Sequence, residues 1–342
     1  MRTYRVAQWA TGTIGRRSLR AVLDHPELTL AGVYSHTPEK AGRDAGELCG
    51  LPATGVRATN SLPELLALDL DCVLYMPRAF EQREVLALLE AGVNVVTTCG
   101  RFHHPPSMDP VLREQVESAC ATGGSALHAT GSSPGFVTEA LPLVLASVQR
   151  RIDGLAIDEY ADLSQRDSPA MLFQIMGFGR PPAEFDQARA DYLATSFGPS
   201  LRLLADAFAI PVGTITAHGE IATARRATTI AAGTIEAGAV AAQRITITTR
   251  APGHAPLRFR ATWYCTTDLD ADWHLRETGW HVAVDGDAPL DVDIRFPIPL
   301  TRMAEVSPGY TANRAVNAVP ALCRARPGIR TTLDLPHFPG VR

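Results

Sequence analysis

The sequence predicts an α/β protein in which a doubly wound parallel sheet is joined to an α+β domain with a mostly antiparallel sheet. Three observations support this fold class. Apolar runs alternate with helical patterns over residues 1–135, a glycine turn separates the first run from the first helix, and the chain beyond residue 150 is rich in Thr, Ile, Val and aromatic residues. At 342 residues, the chain also exceeds the roughly 100–200 residues of a typical single domain.

The first domain is predicted from strands and helices that alternate along the chain. Residues 4–10 are predicted as a strand, 16–24 as a helix that ends near Pro26, and 28–34 as a second strand, which together form one βαβ unit. The further helices are predicted over 62–68, 80–91 and 110–122, and the further strands over 72–76, 93–98 and 125–129. Such units predict a parallel sheet with right-handed crossovers.

The second domain is predicted to contain a mostly antiparallel sheet with helices on one face. Its strands are expected over 152–163, 212–223, 227–235, 240–249, 257–267 and 279–295, and its helices over 169–177 and 199–209. A last helix over 311–325 is expected to pack back onto the first domain. We therefore assign 1–135 and 308–342 to a dinucleotide-binding domain, and 136–307 to a domain for substrate binding and dimerisation.

The overall composition argues against several classes of function. A formal charge of −4 and a pI near 6.2 provide no broad electrostatic attraction to nucleic acid or anionic lipid. No apolar run reaches the roughly 18 residues that a membrane helix needs, and the first residues do not resemble a signal peptide. We therefore expect a cytoplasmic protein with no nucleic-acid or membrane partner.

The cysteines and the single lysine restrict the chemistry further. The six cysteines are scattered without zinc-like spacing, so we expect neither a metal site nor a disulfide. Lys40 is the only lysine among the 32 basic residues. This count excludes mechanisms that need an interior lysine, such as a Schiff base.

A glycine-containing turn follows the first predicted strand. It comprises Ala10, Thr11, Gly12, Thr13, Ile14 and Gly15, so the glycines take the second and third positions of a G-x-G-x-x-G fingerprint and Ala10 takes the first. The second glycine lets the backbone approach a pyrophosphate, and the third permits close packing of helix on strand. The phosphates then bind the first amides of the helix. The turn predicts a Rossmann-type dinucleotide site, and an ordinary tight turn is the alternative.

The residues after the second strand predict which dinucleotide binds. An NAD-preferring site usually has Asp or Glu about 20 residues after the last glycine. The polar residues in that region are Ser35, His36, Thr37, Lys40 and Arg43, with Arg16 just after the glycine turn. Hydroxyls and cations can hold a 2′-phosphate, so they favour NADP(H) over NAD(H). Alternatively, Glu39 takes the acidic role, or these residues form only a solvated loop.

Five segments resemble a known family. They read R-V-A-Q-W-A-T-G-T-I-G at 5–15, V-L-Y-M-P at 73–77, N-V-V-T-T at 94–98, G-S-S-P-G-F at 131–136 and N-R-A-V-N-A-V-P at 313–320. Over nearly its whole length, the chain resembles the 2,4-diaminopentanoate dehydrogenases and native amine dehydrogenases, whose N-terminal domain is like that of dihydrodipicolinate reductase. Dihydrodipicolinate reductase itself fits less well, because its family has a His-His and Lys motif in the second domain and this chain has no lysine there.

The resemblance implies a homodimer in which NAD(P)H delivers hydride to an imine formed from a carbonyl compound and ammonia. The reverse reaction deaminates an amine. It also implies cofactor contacts beyond the glycine turn, at Met76, Pro77, Thr98, Cys99 and Asn313. For Asn313 and for Asn317 on the same helix face, helix capping or packing is the alternative role.

The resemblance also raises a question about catalysis at Arg101. The amine dehydrogenases use a glutamate in the loop after the fifth strand to bind and activate ammonia, and the sequence T-T-C-G-R-F-H-H at 97–104 aligns Arg101 with it. A carboxylate can accept protons from ammonium, whereas a guanidinium cannot. Three hypotheses follow: reductive amination or imine reduction, ammonia-independent carbonyl reduction assisted by Arg101, or an NADP(H)-binding protein without activity.

Two histidines in the same loop are candidate proton donors. His103 and His104 follow a predicted strand at the edge where open α/β sheets bind ligands. Either could protonate a carbonyl oxygen as hydride arrives. The alternative is that each is a loop histidine hydrogen-bonded to the backbone.

The substrate is expected to be a small carbonyl compound, imine or amine. By the resemblance, Phe136 faces this substrate, although a core phenylalanine is the alternative. The polar candidates for the pocket are Tyr160, Asp162, Ser164 and Asp167, whose acidic members could hold an amine. Phe178, like Met171, Phe173 and Met176, is expected in the core or the pocket wall, and an apolar wall would favour a hydrophobic substrate.

Overall fold

The computed structural model describes residues 2–211, 213–250, 253 and 256–341. The chain divides into two units, one over Met1–Phe136 and Val306–Arg342 and the other over Val137–Glu305. These boundaries lie within two residues of those expected from the sequence.

The first unit contains a seven-stranded sheet, and every pair of neighbouring strands in it is parallel. Its strands are β1 (Tyr4–Trp9), β2 (Leu28–Tyr34), β3 (Ala58–Thr59), β4 (Cys72–Tyr75), β5 (Asn94–Thr97), β6 (Ala126–Ala129) and β15 (Gly328–Arg330). They lie in the order β15-β6-β5-β4-β1-β2-β3. The order reverses direction at β1, which is the topological switch point where such sheets bind ligands.

Helices cover both faces of this sheet. They are α1 (Thr13–Asp24), α2 (Ala45–Cys49), α3 (Leu62–Leu66), α4 (Gln82–Glu90), α5 (Pro110–Gly123) and most of α8 (Leu300–Leu322). Successive residues of β1 enter different cores, because side chains alternate across a strand. Val6 packs with α1 and α8, whereas Ala7 packs with α4 and α5. The doubly wound parallel sheet predicted from the sequence is confirmed.

The second unit contains a six-stranded sheet in the order β14-β13-β7-β12-β11-β8. These strands are β7 (Ile152–Asp162), β8 (Thr214–Thr223), β11 (Val240–Arg250), β12 (Leu257–Tyr264), β13 (Gly279–Gly286) and β14 (Leu290–Arg295), and a separate hairpin is formed by β9 (Thr228–Ile230) and β10 (Gly233–Ile235). Of the described neighbours in the six-stranded sheet, β7 and β12 are parallel and the others antiparallel. The predicted α+β class is therefore confirmed.

Helices α6 (Leu141–Ala146) and α7 (Gln187–Ala207) accompany this sheet, with a short helical segment at Ala170–Ile175. Phe197 of α7 stacks on Phe259 of β12 with ring centroids 4.2 Å apart. Helix α7 thus covers one sheet face, as expected. Within the described part of the chain, no helix combines the length and apolar character needed to cross a bilayer.

Several predicted boundaries were wrong. The helix expected over 199–209 is the second half of α7, and the helix expected over 311–325 begins at Leu300. Both contain interior prolines, whose lost backbone hydrogen bonds are outweighed by the packing of the buried helix faces. The ranges 227–235 and 279–295 each hold two strands. Val212 of the predicted strand 212–223 lies outside the described residues.

Candidate active site

The glycine turn joins the end of β1 to the start of α1. Ala10 has a φ of +69°, in the left-handed region that favours glycine. A Cβ on Gly15 would lie 2.1 Å from the carbonyl oxygen of Ala10, so packing requires a glycine there. A Cβ on Gly12 would meet no atom within 4 Å. There is therefore no room for a side chain at Gly15, whereas the space beside Gly12 is free for the approach of a pyrophosphate.

The first turn of α1 presents backbone amides without a competing side chain. Gly12 occupies the N-cap, no side chain accepts a hydrogen bond there, and the first turn contains no acidic residue. Thr13 and Arg16 are exposed, and Ile14 packs against the core. The partial positive charge of a helix N-terminus favours phosphate, so these residues fit a dinucleotide.

Lys40 adds a full positive charge beside this turn. Its Nζ donates to Oγ1 of Thr11 at 3.0 Å and to the Thr11 carbonyl oxygen at 3.3 Å. Thr11 itself is buried. The ammonium group of the chain's one lysine is thus held against the turn that leads into α1.

The polar residues after β2 are placed differently from one another. Ser35 is buried, and its Oγ accepts a hydrogen bond from the Thr37 amide at 3.3 Å. His36 and Thr37 are exposed. Arg43 pairs with Glu47 at 2.6 Å. Ser35 therefore shapes the loop, and His36 and Thr37 form its surface.

A carboxylate that the sequence analysis missed reaches this loop from α4. Oε1 of Glu84 lies 3.4 Å from Nε2 of His36, and Oε2 accepts a hydrogen bond from the Tyr75 hydroxyl at 2.9 Å. Burial raises the pKa of Glu84, because desolvation disfavours the charged carboxylate. The rings of Trp9 and Tyr34 stack beside the pair with centroids 3.7 Å apart. No local sequence signal marks Glu84, since only the fold brings α4 to β2.

Two residues after β4 were predicted to contact the cofactor. Met76 is buried in a core cluster, which leaves its backbone rather than its side chain for any contact with a ligand. Pro77 is half-buried. Of these two residues, Pro77 is therefore the more accessible to a ligand.

Arg101 lies in the loop after β5 and is exposed. Its guanidinium carbon lies 4.5 Å from the centroid of the Phe80 ring, which meets Phe102 edge-on at 5.4 Å. This is the geometry of a cation–π contact. The catalytic role of Arg101 stays a prediction.

The rest of this loop is largely enclosed. His103 and His104 are 1% and 7% exposed, while Thr98 and Cys99 are half-buried. The Thr97 carbonyl oxygen accepts the Thr130 amide at 2.9 Å, which ties the loops after β5 and β6 together. Both histidines thus belong to a structured edge of the sheet, and their catalytic role stays a prediction.

The segment after β6 is hydrogen-bonded to α8. The hydroxyl oxygens of Ser132 and Thr311 lie 2.7 Å apart. Gly135 has a φ of +124°, and a Cβ there would lie 3.1 Å from Oγ1 of Thr130. The backbone conformation of this segment therefore requires a glycine at position 135.

Arg314 of α8 lies beside two aromatic rings that come from outside this helix. The guanidinium carbon of Arg314 lies 3.9 Å from the ring centroid of Phe338 and 5.9 Å from that of Phe136. Asn313 is exposed and Asn317 is half-buried. The structure thus places Asn313 and Phe136 in the same unit as the glycine turn.

The substrate residues predicted in the second unit do not form one group. Tyr160 lines a cavity of about 260 Å³, and the Ser164 amide donates to Oδ1 of Asp162 at 2.8 Å. Asp167 is exposed. Phe178 is 1% exposed in the hydrophobic core, which is one of the two positions expected from the sequence, and its role as a substrate contact stays a prediction.

The thiols and the metal-ligating side chains provide no further centre. All six cysteines are free, and burial raises the pKa of Cys120 to about 11 and that of Cys265 to about 12. Among the described residues, no three His, Cys, Asp or Glu side chains are grouped as a metal site requires.

Comparison with known proteins identifies a family and several relatives of this chain. A family described as the 2,4-diaminopentanoate dehydrogenase C-terminal domain matches residues 136–341. An amine dehydrogenase from Streptomyces virginiae is 28% identical, across 97% of this chain and 96% of that protein. A 4-hydroxy-tetrahydrodipicolinate reductase from Nostoc sp. is 40% identical over 62 residues, which is 18% of this chain and 22% of that protein.

A solved structure extends the comparison to the whole fold. The amine dehydrogenase from Mycobacterium smegmatis superposes with a TM-score of 0.77 at 20% identity, covering 98% of this chain and 97% of that chain. At this identity, the likeness concerns the fold.

Proposed function

The chain belongs to the 2,4-diaminopentanoate dehydrogenase family and is an NAD(P)H-dependent oxidoreductase, and we propose that it transfers hydride between NADP(H) and a carbon–nitrogen bond of a small molecule. The reaction is amine dehydrogenation, run in reverse as reductive amination with ammonia, or reduction of a preformed imine. The observation that carries this proposal is the whole-length similarity to an amine dehydrogenase, together with an open glycine turn at the switch point of the sheet.

The residues of the first unit support NADP(H) as the cofactor. The amides of Gly12 to Gly15 would hold the pyrophosphate. Lys40, Arg16, His36, Ser35 and Thr37 would form the side that meets the 2′-phosphate, where a cation attracts the charge that a carboxylate would repel. Thr98, Cys99 and Asn313 would lie toward the nicotinamide, which supplies or accepts the hydride when bound.

The protein's own contribution is orientation and proton transfer. His103 or His104 would donate a proton to an oxygen or nitrogen of the substrate as hydride arrives. Phe136, Tyr160, Ser164 and Asp167 remain the proposed substrate contacts. Their mixed polar and aromatic character suits a small carbonyl compound, imine or amine.

A second candidate function is ammonia-independent carbonyl reduction. The observation that favours it is the composition of residues 97–104, which include a guanidinium and two imidazoles but no carboxylate. Arg101 would then bind a substrate carboxylate or polarise a carbonyl oxygen. Without a carboxylate in this loop, an ammonium ion has no counterion there.

We further propose that the enzyme acts as a homodimer in the cytoplasm. Free thiols at all six cysteines suit a reducing compartment. The dimer follows from the resemblance to the family, and size-exclusion chromatography with light scattering tests it directly.

The experiment that tests the proposed function is NADPH oxidation over a panel of aldehydes, ketones and cyclic imines, each with and without a high concentration of ammonium. Turnover of carbonyl compounds only with ammonium supports amine dehydrogenase chemistry, and turnover of cyclic imines alone supports imine reduction. Turnover of carbonyl compounds regardless of ammonium supports the second candidate. NADPH binding without any turnover would leave a cofactor-binding protein.

A further inference from the structure

The second unit contains a cavity of about 510 Å³ where β7 and β12 end. This volume lies within the range of roughly 300–1,000 Å³ that is typical of sites for small molecules. The cavity lies within a single unit, so its lining can be described from that unit alone. No residue of the dinucleotide edge contributes to it.

One part of the lining is apolar. It is formed by Phe296, Ile298, Leu300 and Met303, which connect β14 to the first turn of α8. Trp280 meets Phe296 edge-on, with ring centroids 4.7 Å apart, and so fixes this aromatic side chain. This wall would favour the alkyl or aryl part of a ligand over water.

The charged part of the lining contains more carboxylates than cations. It contains the carboxylates of Asp162 and Glu277 and one guanidinium, that of Arg276. Arg276 is already paired with Asp293, which does not line this cavity. Among the described residues, neither Asp162 nor Glu277 has an ion-pair partner. The cavity therefore has two negative charges that its own lining does not compensate.

The two carboxylates line the same cavity, and a hydrogen bond orients one of them. Oδ1 of Asp162 accepts the Ser164 amide at 2.8 Å, which orients this carboxylate at the last residue of β7. Burial, and next the negative charges of Asp162 and Glu277, raise the pKa of the Tyr264 hydroxyl, which lines the same cavity. Both carboxylates therefore lie close enough to Tyr264 to act on its hydroxyl, in agreement with their place in the lining of one cavity.

We propose that this cavity binds an organic ammonium ion with an apolar body, with Asp162 and Glu277 holding the cationic nitrogen and the Phe296 to Met303 wall holding the hydrocarbon. The identification of this ligand as the amine of the reaction rests on the proposed function. A neutral ligand of the same shape would gain only the apolar contacts.

The test is equilibrium binding by calorimetry to the full-length protein, without cofactor, at neutral pH. The probes are butyl-, hexyl-, cyclohexyl- and benzylammonium, each compared with the alcohol of the same skeleton. At least one ammonium ion is expected to bind, and its alcohol to bind at least tenfold more weakly. Binding of no ammonium ion, or equal binding of ammonium ion and alcohol, would overturn the proposal.

The residues are tested with neutral isosteres. Asp162→Asn and Glu277→Gln are each expected to weaken ammonium binding roughly three- to tenfold and to leave alcohol binding unchanged. Glu236→Gln, which removes an exposed carboxylate elsewhere in this unit, is the matched control and should bind like the wild type. Glu277 is exposed, so Glu277→Gln decides the question alone if Asp162→Asn does not fold. Unchanged ammonium affinity in Glu277→Gln would then contradict the proposal.

Measurements of turnover distinguish a failure of this binding site from a failure of the proposed function. If amines bind through the two carboxylates but no member of the panel is oxidised by NADP⁺ or formed from its carbonyl compound, the proposed function fails and the binding site stands. If amines are turned over with wild-type KM in both variants, the reaction stands and this site assignment fails.

Discussion

Nζ of Lys40 donates a hydrogen bond to Oγ1 of Thr11 at 3.0 Å, so the one lysine of the chain is fixed beside the turn that leads into α1. Thr11 is part of the turn, and Lys40 ends the short helical segment that follows β2. The bond therefore connects the two loops that would surround the phosphates of a dinucleotide. Because the Lys40 side chain is already held beside the turn, it does not have to change conformation when a phosphate binds there.

We expect Lys40→Gln to weaken NADPH binding by about tenfold and NADH binding by much less, since a charge-assisted contact to the 2′-phosphate exists only in the first. Fluorescence titration with each reduced cofactor measures both affinities. Lys40→Arg should retain most of the preference, and Arg113→Gln, at an exposed position on α5, is the control. Equal losses for the two cofactors would place Lys40 near a group that they share.

The two glycines of the turn should behave in opposite ways. Gly12→Ala should fold with a loss of at most about 1 kcal/mol, because alanine is a poorer N-cap than glycine but a Cβ there meets no atom within 4 Å, and it should weaken NADPH binding at least tenfold by occupying the path of the pyrophosphate. Gly15→Ala should lower the free energy of unfolding by about 1–3 kcal/mol, because its Cβ would lie 2.1 Å from a backbone oxygen. Urea denaturation and cofactor titration of both variants test the pair. Wild-type NADPH affinity in Gly12→Ala would show that the pyrophosphate binds elsewhere.

The parts of the fold that depend on local pattern could be predicted from the sequence. The strand Leu28–Tyr34 was predicted with its observed bounds, because an apolar run between turn residues is a local signal. The start of α7 was missed by twelve residues, since the prediction began the helix at Pro199 and the structure begins it at Gln187. A proline inside a helix is tolerated only through tertiary packing, which no local pattern contains.

The candidate site could be predicted only where one segment contains all of it. The glycine turn was found because its residues are consecutive and follow a strand. The contact between Glu84 and His36 could not be predicted, since it joins α4 to the loop after β2. The same holds for Glu277 and Asp162, which come together only when β13 and β7 share a sheet. For Phe178 the sequence left the core and the pocket wall open, because a phenylalanine in either place has the same local pattern, and the structure places it in the core.

The sheet of the second unit contains an ion-pair network whose loss should be costly. Asp158 is 2% exposed, and its carboxylate accepts hydrogen bonds from Nε of Arg260 at 2.7 Å and Nη2 of Arg258 at 3.0 Å. Asp158→Asn would leave the two partly buried guanidinium groups without a counterion, so we expect a loss of about 2–4 kcal/mol of unfolding free energy. Urea denaturation measures it. The exposed pair of Asp153 and Arg151 is the control, and Asp153→Asn should have little effect.

Equal stability losses in Asp158→Asn and Asp153→Asn would contradict this view of the network. A large loss confined to Asp158→Asn, with wild-type affinity for NADPH, would show that the network stabilises the second unit and does not act on the dinucleotide edge. The two measurements together separate a structural role of Asp158 from a role in ligand binding.

Asp44 should make part of the stability dependent on pH. Its carboxylate accepts the amides of Gly46, Thr54 and Gly55 at 2.7, 2.9 and 2.8 Å, and these bonds, that of Thr54 foremost, lower its pKa from the usual 3.8. Since the folded pKa is the lower one, this stabilisation is complete above the unfolded pKa and is lost as the pH falls toward the folded pKa. Between about pH 5 and pH 3, Asp44→Asn should therefore lose less stability than the wild type, although it is less stable at neutral pH. Thermal unfolding across this interval measures the difference, with Asp24→Asn at the exposed end of α1 as the control. Parallel pH profiles for Asp44→Asn and the wild type would mean that the three amides do not favour the ionised carboxylate.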